Sequence, residues 1–282
     1  MNYDFFNSLQ NRNVQDLYWL LFKTSPLKVS PKEFNIPFFP NEIIHKWEEN
    51  AIDYFQALDS SPEALQHFVD RKKNYRLGFY AESLLSYFFQ TFPEIELLIQ
   101  NFQITEEKRT IGEIDFVIRW NNRIIHIELA VKYYLLLPHS DPYAASNWIG
   151  PSRKDDLNKK LTKIEGHQLP LGKHELLLNS IPGIKEDTIE SYFLFRGQFF
   201  WNEKIECGFL NREPLHYLFK RELKETQRRY TVLNRPDWLG SIDRNEKILE
   251  QKISNTIDSD KPQMVKFDSK KVSFIVPDNW DD

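Results

Sequence analysis

The chain has 282 residues, of which 41% are hydrophobic and 28% charged, and its formal net charge is -4 at pH 7. This composition is typical of a folded globular protein. A single cysteine, Cys207, excludes an internal disulfide and a cysteine-based zinc cluster, and the sequence has no glycine-rich nucleotide-binding motif.

No segment approaches the ~20 consecutive apolar residues that a membrane helix requires. The first residues also lack the basic start and apolar run of a secretory signal. We therefore expect a cytoplasmic protein without a membrane partner.

Residues 1–70 are predicted to form a helical N-terminal segment. Apolar side chains recur at helical spacing over 14–22, and the three prolines within 30–40 indicate an extended connection. A second helix is predicted over 41–58, and the sequence Ser61-Pro62-Glu63 is typical of another helix start.

Residues 71–205 are predicted to form the core, and residues 206–282 a C-terminal extension packed on it. The core elements are an apolar helix at 75–90, strands at 96–104, 112–120 and 123–134, a helix at 152–166 opened by a capping box at Ser152 and Asp155, and a strand at 191–201. The extension should contain a helix at 213–229, a polar linker at 251–263 and a strand at 272–276. This order predicts an α/β fold with a mixed sheet flanked by helices.

The most informative feature is a pair of carboxylates on neighbouring strands. Asn121 and Asn122 suit a two-residue hairpin turn, and the resulting register places Asp115 opposite Glu128. Like charges directly opposite each other destabilise a sheet, whereas a divalent cation between them reverses that effect. Oxygen ligands with room for water suit Mg²⁺ or Mn²⁺. Lys132 lies on the same face, where its ammonium could stabilise developing negative charge.

Three other side chains near this pair have a functional and a structural interpretation. Glu82, on the apolar helix at 75–90, could be a third metal ligand, or it could share a polar stripe with Ser86. His126 could bind metal or relay a proton, but a buried histidine with a hydrogen bond is also common. Glu113 could extend the site or simply face solvent at the start of its strand.

The helix at 152–166 is basic on its polar side and could bind the phosphates of a nucleic acid. The candidate contacts are Arg153, Lys154, Lys160, His167 and Gln168. The alternative is an ordinary solvated helix face. Residues 212–235, with seven basic and three acidic side chains, could add contacts, although their aromatic residues also suit a core. Neither segment distinguishes DNA from RNA.

The arrangement resembles the PD-(D/E)xK (restriction-endonuclease-like) nuclease superfamily. The stretches Gly-Glu-Ile-Asp-Phe, His-Ile-Glu-Leu-Ala-Val-Lys, Trp-Ile-Gly-Pro, His-Gln-Leu-Pro and Val-Pro-Asp-Asn-Trp are similar to an uncharacterised bacterial family assigned to it. The resemblance implies a divalent-metal phosphodiesterase fold in which Asp115 and Glu128 bind metal and Lys132 takes the lysine role. In one departure, Ala130 stands where the superfamily usually has that lysine, and Lys132 is ~6.6 Å farther along the strand.

The expected function is metal-dependent cleavage of nucleic-acid phosphodiester bonds with Mg²⁺ or Mn²⁺. In this hypothesis Asp115, Glu128 and Glu82 hold the metal, and these three act with Lys132 in catalysis. The alternatives are a catalytically inactive nuclease-fold protein that binds nucleic acid or acts as a scaffold, and a phosphodiesterase with a different substrate.

Overall fold

The computed structural model describes residues 1–70, 76–183, 189–203, 206–226, 229–244, 260–268 and 270–282, with side chains of 224–226 left aside. Within these ranges the fold is mixed α/β. None of the helices found in them is both long and apolar enough to cross a membrane.

The N-terminal segment is helical, as predicted. Its helices are α1 (Tyr3–Ser8), α2 (Arg12–Phe22), α3 (Asn41–Asn50), α4 (Ile52–Ser60) and α5 (Glu63–Asp70). The prediction of one helix over 41–58 is wrong, because the backbone leaves helical geometry at Ala51, whose small side chain is fully buried where α3 meets α4.

The central elements follow the predicted order. They are α6 (Leu77–Thr91), β1 (Glu96–Glu106), β2 (Arg109–Trp120), β3 (Arg123–Leu136), β4 (Trp148–Ile149), α7 (Leu157–Lys163), α8 (Glu175–Ser180) and β5 (Ile189–Trp201). The three strands of the predicted meander are confirmed, and each is longer than the hydrophobic pattern indicated.

The predicted start of the second core helix is wrong. Helix α7 begins at Leu157 because Asp156, rather than Ser152, caps it: the Asp156 carboxylate accepts a 2.7 Å hydrogen bond from the Lys159 N–H. After α7 the chain continues through a widened helical turn over residues 164–168 and a tighter one over 169–173.

The C-terminal part adds strands to the sheet. Its elements are β6 (Leu215–Phe219), α9 (Lys220–Thr226), β7 (Tyr230–Leu233), β8 (Gln263–Phe267) and β9 (Val272–Val276). The helix predicted over 213–229 is wrong at its start, because Tyr217 and Phe219 alternate into the core as a strand. The strand at 272–276 is confirmed. Most of the predicted linker, 251–259, lies outside the described residues.

These strands form one mixed sheet in the order β1-β2-β3-β5-β6-β9-β8-β7, with β4 paired to the end of β3. The first three strands are antiparallel, β5 runs parallel to β3, and β6 and β9 continue in parallel. Side chains of α2, α3 and α6 form the core on one face of the sheet, and those of α7 pack with β5 on the other. The polar face of β3 therefore lies beneath α7.

Candidate functional site

The hairpin between β2 and β3 sets the geometry of the site. Asn121 and Asn122 have φ values of 46° and 60°, which both lie in the left-handed region of a type I′ turn. Trp120 pairs with Arg123 and the ladder continues to Phe116 and Ile127. The predicted turn and register are confirmed over this range.

Asp115 lies one residue beyond the last of these pairs. Its Oδ2 accepts a 2.8 Å hydrogen bond from the backbone N–H of Leu129. At this end of the β2–β3 ladder, the Leu129 N–H therefore bonds to the Asp115 side chain instead of to a backbone carbonyl of β2. The bond fixes the Asp115 carboxylate next to Glu128 and leaves its Oδ1 outside that contact.

Glu128 is fully buried and is held by two neutral groups. Its Oε1 lies 3.0 Å from Nε2 of His126, and its Oε2 accepts a 2.6 Å hydrogen bond from Nε2 of Gln168. His126 is itself fully buried, with Nδ1 3.0 Å from Oγ of Ser191. Burial lowers the pKa of His126 to about 4, so the imidazole is neutral at pH 7. It satisfies both neighbours when Nε2–H donates to Glu128 and Nδ1 accepts from Ser191.

The two carboxylates carry a charge that the surrounding protein compensates poorly. Burial raises the pKa of Asp115 to about 7, and the neighbouring Glu128 raises it further. Burial also raises the pKa of Glu128 to about 7, against the attraction of Lys160. Such shifts in a cluster of acids are typical of functional sites, because burial without full pairing costs stability.

Lys160 is the cation that faces this pair. It lies on α7, and its Nζ donates a 3.2 Å hydrogen bond to Oε1 of Gln168 and lies 5.7 Å from the centre of the Phe193 ring. Burial lowers the pKa of Lys160 to about 8, while Glu128 and Asp115 oppose that shift. The ammonium is therefore partly desolvated beside two carboxylates.

Lys132 has a different partner. Its Nζ forms an ion pair with the carboxylate of Asp155, in the loop before α7. The ammonium of Lys132 is thus paired with Asp155, and no contact between Lys132 and Asp115 or Glu128 is found among the described residues. Its predicted catalytic role stays a prediction without that geometric support.

Glu82 is the third residue that the sequence predicts as a metal ligand. Glu82 is half-buried on α6, and its Oε1 lies 4.0 Å from where a Cβ of Gly78 would stand. The charges that shift the pKa of Asp115 are those of Glu128, Lys160 and His126. The role of Glu82 as a metal ligand therefore stays a prediction.

The predicted nucleic-acid contacts fall into two places. Lys160 and Gln168 line the carboxylate pair. His167 is exposed beside Gly112, while Arg153 and Lys154 are exposed in the loop before α7. Glu113 is exposed at the start of β2, close enough for its charge to raise the pKa of Glu128.

The sequence predicts phosphate binding by Lys160 but does not predict its position beside the two carboxylates. The signal was the spacing of Lys160, Ile164 and Gln168, which puts all three on one helix face at intervals of four. The widened turn over 164–168 then brings Gln168 to Glu128. Such turns within helices are frequent at functional sites.

The donor set fits an open magnesium site better than a closed metal cage. Over the ranges that the structure describes, no group of three or more His, Cys, Asp or Glu side chains could hold a metal ion. Mg²⁺, however, is usually bound by one or two carboxylates together with waters and substrate phosphates. One buried and one half-buried carboxylate, both with raised pKa values, match that smaller requirement, so the expected Mg²⁺ or Mn²⁺ stays a prediction that their chemistry allows.

Comparisons with known proteins give one match. The family described as Domain of unknown function (DUF1853) matches residues 15–267, which is most of the chain. No curated protein and no solved structure matches significantly.

Proposed function

The chain belongs to the DUF1853 family, and we propose from the geometry of its site that it is a metal-dependent nuclease with a restriction-endonuclease-like core. The observation that carries this proposal is the pair of the half-buried Asp115 and the buried Glu128, with Lys160 facing both. Two acids and a lysine around one point are the groups that phosphodiester hydrolysis with a divalent cation needs.

The order of elements supports the same proposal. Helix α6 precedes the antiparallel strands β1, β2 and β3, and α7 leads into β5, which lies parallel to β3. This is the helix, strand and helix order that the resemblance to the nuclease superfamily rests on. The acids stand on the second and third strands of that unit, as the resemblance implies.

Each side chain has a separable task in this proposal. Asp115 and Glu128 would hold Mg²⁺ or Mn²⁺, which when bound supplies a polarised phosphate oxygen and a water of lowered pKa. Lys160 contributes positive charge to the phosphate during attack, in the role that the sequence analysis gave to Lys132. His126 and Gln168 fix the orientation of the Glu128 carboxylate through its two oxygens.

A cleavage assay tests the proposal. The full chain is incubated with Mn²⁺ or Mg²⁺ and with circular single-stranded DNA, supercoiled duplex DNA and RNA, beside the variants Asp115→Asn and Glu128→Gln. We expect cleavage of at least one substrate that EDTA abolishes and that either variant reduces at least 100-fold. Cleavage that both variants retain would contradict the proposal, because another protein or site would then be responsible.

A second candidate function is a nuclease-fold protein that binds nucleic acid without cutting it. Ala130 at the usual lysine position and the ion pair between Lys132 and Asp155 favour it. Such a protein would bind nucleic acid equally well with EDTA or Mn²⁺ and equally well after Asp115→Asn. Absence of cleavage together with that metal-independent binding would favour this candidate.

A further inference from the structure

A groove of about 740 Å³ separates the loop before α7 from the C-terminal part of the sheet. Its charged lining residues are the basic Arg153, Lys154, Arg235 and Lys261 and the acidic Asp260 and Asp282. Two tryptophans, Trp238 and Trp280, also line it. The groove thus combines an excess of positive charge with aromatic surface.

Each arginine of the groove is held against an indole. The Arg153 guanidinium lies 5.9 Å from the centre of the Trp280 ring and donates a hydrogen bond to the Trp280 carbonyl. The Arg235 guanidinium lies 6.0 Å from the centre of the Trp238 ring. Side chains that are already held lose less conformational entropy on binding, and the planar guanidinium fork matches phosphate oxygens.

The loop that carries these groups is fixed in an unusual conformation. Arg153 has a φ of 58°, in the left-handed region that costs energy for a residue other than glycine. The indole N–H of Trp280 donates a 2.8 Å hydrogen bond to the Pro151 carbonyl, which ties the loop to the C-terminal residues. Both observations indicate that the position of Arg153 is determined by the fold.

Three of the groove's cations have no carboxylate partner. Arg153, Lys154 and Arg235 form no ion pair with any residue in the described ranges, and all three are exposed. By contrast, the neighbouring Lys132 and Lys159 are paired with Asp155 and Asp156. The unpaired positive charge of the loop before α7 thus lies on the groove.

The groove lies beyond the Lys132–Asp155 ion pair, as seen from the carboxylate pair on β2 and β3. Lys132 lies four residues after Glu128 on the same face, or ~13 Å at ~3.3 Å per residue, and its partner Asp155 follows Lys154 directly. That separation corresponds to about four base-pair steps along a duplex at ~3.4 Å per step. A bound strand of modest length could reach both places.

We propose that the groove binds the sugar-phosphate backbone of a nucleic-acid strand that also reaches the Asp115 and Glu128 pair, with Arg153, Lys154 and Arg235 as the phosphate contacts. The identity of this occupant rests on the proposed function. The groove therefore extends the nuclease site onto residues that the C-terminal strands and their connections supply.

Binding without cleavage tests the groove independently of catalysis. The anisotropy of a fluorescein-labelled 20-nucleotide single-stranded DNA is measured in EDTA over a range of salt concentrations, for the full chain and for Lys154→Ala/Arg235→Ala. The matched control is Lys32→Ala/Lys46→Ala, which removes the same charge from exposed positions on the N-terminal segment.

We expect the groove variant to bind about tenfold more weakly than the control. The slope of log K against log salt should fall in magnitude by about 1.4, since each phosphate contact on a single strand contributes ~0.7. Equal affinity and equal slope in both variants would overturn the groove proposal even if the protein cleaves DNA. Weakened binding by the groove variant of a protein that never cleaves would support the groove and overturn only the nuclease proposal.

Discussion

Gly172 lies so close to His126 that a Cβ atom on this glycine would stand 2.6 Å from Nδ1 of the imidazole. The same Cβ would stand 2.2 Å from Oγ of Ser191, the other partner of that nitrogen. His126 in turn contacts Glu128. The segment after α7 that contains Gly172 therefore packs directly against the side chains that orient the Glu128 carboxylate. The absence of a side chain at position 172 is therefore part of how the site is held.

Gly172→Ala should destabilise the protein, because both contacts fall below the distance that real Cβ atoms tolerate. We expect a loss of about 1–3 kcal/mol in the free energy of unfolding, measured by urea denaturation. The matched control is Gly166→Ala, because a Cβ there would meet nothing within 4 Å. Gly166→Ala should change the free energy of unfolding by no more than ~1 kcal/mol. The change should be a gain in stability, because alanine is favoured over glycine in a helical turn. Equal stability of the two variants would contradict the packing described.

The two lysines should differ in their effect on cleavage. Lys160→Met removes the cation beside the carboxylates and should lower kcat at least 100-fold, in the range found for loss of one transition-state contact. Lys132→Met breaks only the ion pair with Asp155, so its kcat should fall less than tenfold. Single-turnover cleavage rates in Mn²⁺ measure both. The reverse order would return the lysine role to Lys132, as the sequence alone predicted.

The contribution of the two carboxylates to the stability of the metal-free protein should fall as the pH rises from about 4 to 8. Asp115 and Glu128 have pKa values of about 7 in the folded protein, well above those of the unfolded chain, so the folded state binds more protons in this window. Asp115→Asn removes one charge and keeps an oxygen for the Leu129 N–H.

In EDTA we therefore expect Asp115→Asn to be more stable than the parent at pH 8 by about 1–4 kcal/mol, since each pKa unit is ~1.4 kcal/mol. The difference should shrink toward pH 5, where the parent carboxylates are protonated as well. Urea denaturation at several pH values measures it. A substitution that costs more stability at pH 8 than at pH 5 would contradict the raised pKa values.

The hairpin that carries the two acids could be predicted from local sequence. Asn121 and Asn122 select a turn with two left-handed residues, and the alternation of apolar side chains fixes the register on either side. These are short-range effects that the residues themselves encode. The pairing of Trp120 with Arg123 followed directly from them.

The position of the lysine could not be predicted in the same way. It depends on where α7 begins, which competition between Ser152 and Asp156 for the cap decides, and on the widened turn that brings Gln168 to Glu128. It also depends on Asp155 binding Lys132 across the sheet. These are tertiary contacts, and a residue pattern along the chain does not contain them.

Three of the C-terminal strands, β6, β7 and β8, could not be predicted for a related reason. Strands of four or five residues such as β6, β7 and β8 are too short to show a clear alternation of apolar and polar residues. The basic segment 213–229, which contains β6 and α9, has a residue pattern that also suits a single helix. Strands β6 and β8 are stabilised by pairing with β9, β7 pairs with β8, and Tyr217 and Phe274 pack in the core. Only the fold brings those partners together.

The most direct test of the account is a calorimetric titration of Mn²⁺ into the metal-free protein at pH 7.5. The parent should bind Mn²⁺, and both Asp115→Asn and Glu128→Gln should weaken that binding at least tenfold. Glu113→Gln, which removes an exposed acid two residues before Asp115, should change it less than threefold. A parent that binds no Mn²⁺, or an Asp115→Asn variant that binds it as tightly as the parent, would contradict the metal site at the centre of the proposal.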